Sequence, residues 1–235
     1  GASIDYADVA KAYLARLWTL ANSGDHGVLW IEGELLPRWP ATVERVLSAL
    51  GRPFVVDLDD AIFHSYDLHP SPVVRGLLGD KIDAVLKRAA TVVVGNDYLA
   101  ERARQAGARR VETVPTGVNC SAYVRRTLAP HDRLTFGWIG SPATEHYLAT
   151  IAADLDEVCP ALNARLRLIG VDRHRFDRAD VELVRWSEET EIDALAACDI
   201  GLAPLTDGPW ERGKCGMKAI QYMALGIPVL AADAG

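Results

Sequence analysis

A basic excess, paired cysteines and long apolar runs are all missing from this sequence. Lys and Arg number 25 against 32 Asp and Glu, for a formal net charge of −7, so a nucleic-acid binder held by a generally basic surface is not expected. The four cysteines, Cys120, Cys159, Cys198 and Cys215, lie far apart with no CxxC pair. That usage points to a reduced, cytoplasmic protein with ordinary buried thiols. No apolar run approaches the about 20 residues that a bilayer span needs, and no signal peptide opens the chain. Internal repeats and low-complexity tracts are also lacking. The first residues, Gly-Ala-Ser, carry no initiator Met, and the last, "VLAADAG", follow a strand-like run. Both ends read as cut edges of something longer. What remains is 235 residues, 49% hydrophobic and 24% charged, enough for one large or two small globular domains.

Helix-period and strand-like segments alternate. A helical stripe (Val9, Tyr13, Leu17, Leu20) runs through residues 5–21, and "VLWIEG" is a short strand. A helix over 41–50, the strand "PFVVDL", a loop with His64 and His69, a long helix over 73–90, the strand "TVVVGN", a helix over 98–106 and the strand "RVETVP" follow. Polar, aperiodic residues 116–133 read as the domain linker. Alternation then restarts with the strand "LTFGWIG", a helix over 145–158, the strands "RLRLIG" and "VELVRW", a helix over 188–198, the strand "DIGLAPL", a helix over 217–225 and the strand "PVLAAD". Near-continuous Val/Ile runs suit parallel sheets buried on both faces. The expected fold class is α/β: two Rossmann-like, doubly wound domains, residues 1–130 and 131–235, with ligands at the carboxyl ends of the strands facing the cleft between them.

Three stretches carry candidate chemistry. In "GSPAT", Gly140 and Ser141 end a strand just before a helix, where free N–H groups and the helix dipole can hold an anion; a plain helix N-cap is the simpler account. In "PWERGKCGMKAIQYMALGIPV", Arg212, Lys214 and Lys218 gather at a helix start. Cations there oppose the dipole by several tenths of a kcal/mol each, and Lys214 and Lys218, four apart, repel on one helix face. A diphosphate would resolve both conflicts; solvated side chains partnered by Glu211 are the alternative. "GPWERGKC" also matches the first seven positions of a phosphate-binding P-loop, but Cys215 stands where Ser or Thr should ligate Mg²⁺ and the loop interior is bulky, so that reading is rejected. Third, "FVVDLDDAIF" runs a strand into Asp57, Asp59 and Asp60, with His64 beyond. The acids fit a haloacid-dehalogenase-like phosphatase, with Asp57 as nucleophile and Asp59 as acid, or a D-x-D metal motif. Asp60-Ala61 departs from the phosphatase pattern, and no third metal ligand lies nearby in sequence, so no metal site is assigned.

In order along the chain, "VVVGNDYLAERARQAG" with "VETVPTGVNCSAY", then "LTFGWIGSPATEHYLATI", "LRLIGV", "VELVRWSEETEIDALAACDIGLAPL" and "KAIQYMALGIPVLAADAG" resemble the GT-B glycosyltransferases, specifically the retaining glycosyltransferase family 4. The resemblance implies metal-independent transfer of a sugar from a UDP-, GDP- or ADP-sugar to an acceptor hydroxyl on a glycan, lipid or small molecule, with no further cofactor. It leaves room for peripheral membrane association of the full-length protein and says nothing of oligomeric state. It implies that Gly140 and Ser141 hold the donor diphosphate, that Lys214 and Lys218 with Arg212 neutralise the leaving nucleotide, and that Trp186 and Ser187 meet the base. The family's E-x7-E pair is replaced by Gly213 and Gln221; Gln221 can still bond a ribose hydroxyl. A glycine-rich first strand has no counterpart before Asp5 and the final helices are absent, so the chain reads as a fragment, with a non-catalytic binding remnant as the alternative. In this fold Asp59 and Asp60 become acceptor-hydroxyl contacts beside His64, and Asp57 a loop anchor.

Overall fold

The computed structural model describes residues 6–24, 27–124, 132–174, 176 and 180–234. Contacts divide the chain into two compact units, Gly1–Pro115 and Thr116–Gly235. This division falls upstream of the 130/131 boundary suggested by the sequence. Tyr123, from the stretch expected to be linker, belongs to the second unit through hydrogen bonds to Glu191 and Gln221. Residues 125–131 of that stretch lie outside the described residues.

The first unit begins with helix α1 (Tyr6–Asn22) and continues β1 (Leu29–Glu32), α2 (Thr42–Ala49), β2 (Phe54–Leu58), α3 (His64–Asp67), α4 (Pro72–Leu78), α5 (Lys81–Leu86), β3 (Thr91–Val94), α6 (Asp97–Gln105) and β4 (Val111–Thr113). Its four strands pair in parallel in the order β1-β2-β3-β4. Phe54, Val56 and Leu58 alternate into the core with Val92 and Val94, the period-2 burial that a pleated strand imposes. Asn96 caps α6 by accepting the Leu99 N–H at 3.0 Å.

The second unit runs β5 (Thr135–Ile139), α7 (Glu145–Leu148), a 3₁₀ turn (Ala149–Ile151), α8 (Ala152–Ala161), β6 (Arg165–Ile169), β7 (Val181–Val184), α9 (Glu191–Ala196), β8 (Ile200–Ala203), a 3₁₀ turn (Glu211–Gly213), α10 (Met217–Ala224) and β9 (Val229–Ala231). All five strands are parallel, in the order β7-β6-β5-β8-β9. The central strand β5 is buried at every position. Trp138, Leu155, Leu166 and Leu168 form one core cluster and Ile139, Leu195, Tyr222 and Leu225 another, so apolar side chains leave the strands in both directions, as the uninterrupted apolar runs require.

Local chemistry shortens several expected elements. The helix over 73–90 breaks at Gly79–Asp80 into α4 and α5; Gly76 and Gly79 both lower helix propensity there. The helix over 145–158 divides into α7, the 3₁₀ turn and α8. His64, expected in a loop, opens the single turn α3.

Helix α10 lies close on the sheet because two strand positions have no side chain. A Cβ at Gly201 would run into the Tyr222 ring, and one at Gly137 would come within 3.0 Å of the Tyr222 hydroxyl besides striking the Cys198 thiol. The Tyr222 hydroxyl is buried there without a hydrogen-bond partner among the described residues. Gly201→Ala is therefore expected to destabilise the fold by about 1–3 kcal/mol through overpacking. Tyr222→Phe, which deletes the unsatisfied hydroxyl, should stabilise it by about 1 kcal/mol. Equilibrium urea denaturation of the two variants reads both signs.

Candidate functional site

In the second unit the carboxyl ends of β5, β6 and β7 are stitched together just past their last paired residues. The Gly140 N–H donates to the Ile169 carbonyl at 2.9 Å and the Gly170 N–H to that of Val184 at 3.0 Å. Gly170 has a left-handed φ of +93°, and a Cβ on it would press on the Gly140 carbonyl and lie 3.5 Å from the Trp186 Cβ. Glycine at both places thus lets three strand ends meet as bare backbone.

This arrangement changes the roles expected of Gly140 and Ser141. The Gly140 N–H is spent on Ile169, and the Ser141 N–H donates to Thr144 Oγ1 at 3.1 Å. Helix α7 is one turn long, too short to sum much dipole. What this stretch can offer a ligand is the exposed Ser141 side chain and close approach over Gly140, rather than a nest of free N–H groups.

Positive charge comes instead from the start of α10. Gly216, at φ 69°, turns the chain in the left-handed region, and no side chain caps the helix. Neither is there an acid in its first turn, so its leading N–H groups face outward without a carboxylate. The Lys218 ammonium sits 4.7 Å above the Trp138 ring. Burial, and then Lys214, lower its pKa from 10.5 to about 8. Keeping it charged at neutral pH costs on the order of a few kcal/mol, several times the helix-dipole effect. No ion pair reaches Lys218 among the described residues. Lys214 lies 5.8 Å over the Trp210 ring. The Arg212 guanidinium grips Asp207 at 2.8 and 3.2 Å on the exposed surface.

A second cluster surrounds Glu191, a residue the sequence did not single out. Its Oε2 accepts the Trp186 indole N–H at 2.6 Å, and its Oε1 accepts from Tyr123 OH at 3.1 Å and Gln221 Nε2 at 2.7 Å. Gln221 is buried and also donates to the Tyr123 hydroxyl at 3.1 Å. The Tyr123 phenol is pushed above its ordinary pKa by burial, with the Glu191 charge adding to the rise. Trp186, half exposed with its N–H satisfied, keeps an open indole face. The Ser187 hydroxyl pairs with Thr190 at 2.9 Å in the turn that leads into α9. Sequence spacing could not reveal this hub, because Tyr123, Glu191 and Gln221 meet only through folding.

The first unit gathers the remaining candidates at the carboxyl end of its own sheet. Asp57, next to last in β2, is half-buried; burial, together with the nearby Asp59 charge, raises its pKa, while an indole hydrogen bond from Trp30 offsets part of the rise. Asp59 is exposed and Asp60 half-buried on the loop that follows. His64 is fully engaged, with Nδ1 2.7 Å from Asp67 Oδ1 and Nε2 2.8 Å from Tyr98 OH. Asp67 in turn meets Arg102 at 3.0 Å, and Arg102 holds Asp83 through two bonds of 2.8 and 3.1 Å. His64 therefore ties the loop after β2 to α6. Among the described residues, no group of three His, Cys, Asp or Glu side chains could hold a metal ion, and no helix is long and apolar enough to cross a membrane.

No protein-family model matches the chain, and no curated protein matches its sequence. Solved structures do match in fold. The trehalose-6-phosphate structure from E. coli bound with UDP-2-fluoro glucose superposes with a TM-score of 0.61 at 13% identity, covering 92% of this chain and 60% of that one. The α,α-trehalose 6-phosphate synthase of Burkholderia multivorans gives 0.58 at 14%, covering 98% and 62%. A glycosyltransferase from Rickettsia africae gives 0.59 at 11%, covering 100% and 64%. The chain thus spans about three-fifths of the length of these neighbours. With two parallel α/β sheets and these structural neighbours, the chain has the fold of the GT-B glycosyltransferases.

Proposed function

We propose that the chain is the nucleotide-sugar-handling part of a retaining, metal-independent glycosyltransferase of family 4, moving a hexose from a nucleoside-diphosphate sugar to an acceptor hydroxyl in the cytoplasm. The observation that carries this reading is Lys218: a desolvated ammonium on an aromatic ring, beside Lys214, at an uncapped and acid-free helix start. A diphosphate supplies the missing negative charge there and accepts the leading N–H groups. As the anomeric C–O bond breaks, both lysines stabilise charge building on the departing diphosphate, work that a divalent metal performs in other sites. Ser141 and the open backbone at Gly140 lie along the diphosphate, and the exposed face of Trp186, beside Ser187, stacks on the base. The neighbour solved with UDP-2-fluoro glucose supports a uridine donor, and the work on glycosyl transfer with retention in trehalose-6-phosphate synthase supports the retaining course.

Lys218 makes the donor reading pH-dependent. With its folded pKa near 8, the ligand-free protein loses this charge as pH rises through 8. UDP affinity should hold steady from pH 6 to 7.5 and fall above 8, while Lys218→Met should weaken binding about 10- to 100-fold at pH 7 and flatten the pH profile. Thermal shift and calorimetry with UDP, GDP and ADP measure this. No shift with any of the three would remove the donor assignment. Transfer activity that survives EDTA is expected, and strict dependence on Mg²⁺ would overturn the metal-independent reading.

One observation favours a binding protein without catalysis. Gly213 stands at the first position of the family's paired acids, and the Gln221 amide at the second is spent on Glu191 and Tyr123. Detectable sugar transfer or donor hydrolysis by the chain removes that alternative. Asp57 separates the phosphatase reading. Its raised pKa means that the folded state favours the protonated acid, so its contribution to stability diminishes as pH rises above the usual carboxylate range. Asp57→Asn is expected to raise the melting temperature at pH 7, with the gain fading toward pH 4. Mg²⁺-dependent phosphomonoester hydrolysis abolished by Asp57→Asn would instead establish the phosphatase.

A further inference from the structure

The connection after β1, residues 33–41, is braced far beyond the needs of a surface loop. Three successive carbonyls are caught by side chains: Leu35 by Arg16 at 2.7 Å, Leu36 by Lys81 at 2.7 Å and Pro37 by the Tyr13 hydroxyl. The Leu35 N–H donates to the buried Glu44 carboxylate at 3.1 Å. Glu34 forms an ion pair with Lys81, which is 4% exposed, and accepts the Tyr66 hydroxyl at 2.7 Å. Tyr66 OH in turn accepts the Arg38 N–H at 2.9 Å. Arg38 is thereby held at a φ of 61°, a left-handed conformation that opposes any residue with a Cβ. Burying a lysine–glutamate pair also opposes stability unless every bond is made.

The braced backbone displays two side chains. Arg38 is exposed and its guanidinium has no partner among the described residues. Trp39 is 53% exposed, and its indole N–H is satisfied by Thr42 Oγ1 at 3.2 Å, leaving the flat ring as contact surface. The loop leaves the carboxyl end of β1, the end of a parallel sheet where α/β folds bind ligands. Tyr66 and the close approach of Gly33 to Ile62 join it to the loop that carries Asp59 and Asp60.

We propose that Arg38 and Trp39 form a recognition site for an anionic sugar, a hexuronate or a hexose phosphate. The indole face stacks on the apolar C–H face of a pyranose, and the guanidinium forks onto the carboxylate or phosphate. Asp59 and Asp60, at the same sheet end, accept from sugar hydroxyls and repel further negative charge, so the anionic group is read at Arg38. Only the word acceptor for this ligand rests on the glycosyl-transfer reading; the site does not.

The test measures binding of glucuronate, glucose 6-phosphate, glucose and inorganic phosphate to the full chain by saturation-transfer NMR and calorimetry. At least one anionic sugar should bind about tenfold or more tightly than glucose, as a charge-assisted contact implies, and more tightly than phosphate. Arg38→Gly should abolish that preference while holding or raising the melting temperature, because glycine takes the left-handed backbone without strain. A site of merely structural importance would not show this split. Trp39→Ala should weaken every sugar. The UDP-induced thermal shift should be unchanged in both variants, so loss of that shift in the unsubstituted chain counts against the donor reading alone. The proposal is overturned if neither anionic sugar binds, if glucose or phosphate binds as tightly, or if Arg38→Gly binds like the parent chain.

Discussion

Every strand in both sheets is parallel, and that single constraint organises the rest. A parallel neighbour cannot be reached by a tight turn, so the chain must cross over between strands, and all carboxyl ends in a unit emerge at one edge. The loops that follow them converge there although they are distant in sequence. In the first unit this gathers the connections after β1, β2 and β3, with Arg38 on the first, Asp59 and then His64 at the start of α3 on the second, and Tyr98 just beyond the third. In the second it gathers Gly140, Gly170 and Trp186 after β5, β6 and β7. The crossovers also cover both faces, which is why β5 has no polar side to show.

Within that frame, charge and burial divide the labour. The start of α10 holds a lysine that has given up much of its hydration on the Trp138 ring. Desolvation outweighs the helix dipole as its burden, so an anion relieves the larger of two opposing effects. The Glu191 hub works in the reverse sense. It consumes donors from Trp186, Tyr123 and Gln221, fixing an indole in place and joining residue 123 to the second unit. In the first unit the pair Lys81–Glu34 locks the loop after β1, and Arg102–Asp83 ties α6 to α5. Buried polar groups there specify geometry, at a cost in desolvation that only complete pairing offsets.

Much of the fold was legible in the sequence because its signals are local. The alternation of strand and helix and the apolar run of β5 needed only period and punctuation. The misjudged helices share a cause, since residues 73–90 and 145–158 keep an apolar period across points where the chain bends. At Gly79–Asp80 the low helix propensity of glycine, not the apolar period, sets the break. The site was legible in part. Lys214 and Lys218 stood out as cations in the wrong place for a helix start, and that conflict is a property of the sequence itself. Arg212 looked like their companion, but Asp207, five residues earlier, holds it.

The sequence by itself determined the α/β class, the repeat of sheet-forming runs and the lysines at the start of α10, because each depends on neighbours within a few residues. Tertiary structure alone decided which N–H groups remain for a ligand, that Gln221 is enclosed by Glu191 and Tyr123, and that Arg38 takes a left-handed backbone under the hold of Tyr66. These outcomes rest on partners tens of residues away. Hydrogen bonding and desolvation act through space, and only the folded chain sets those distances.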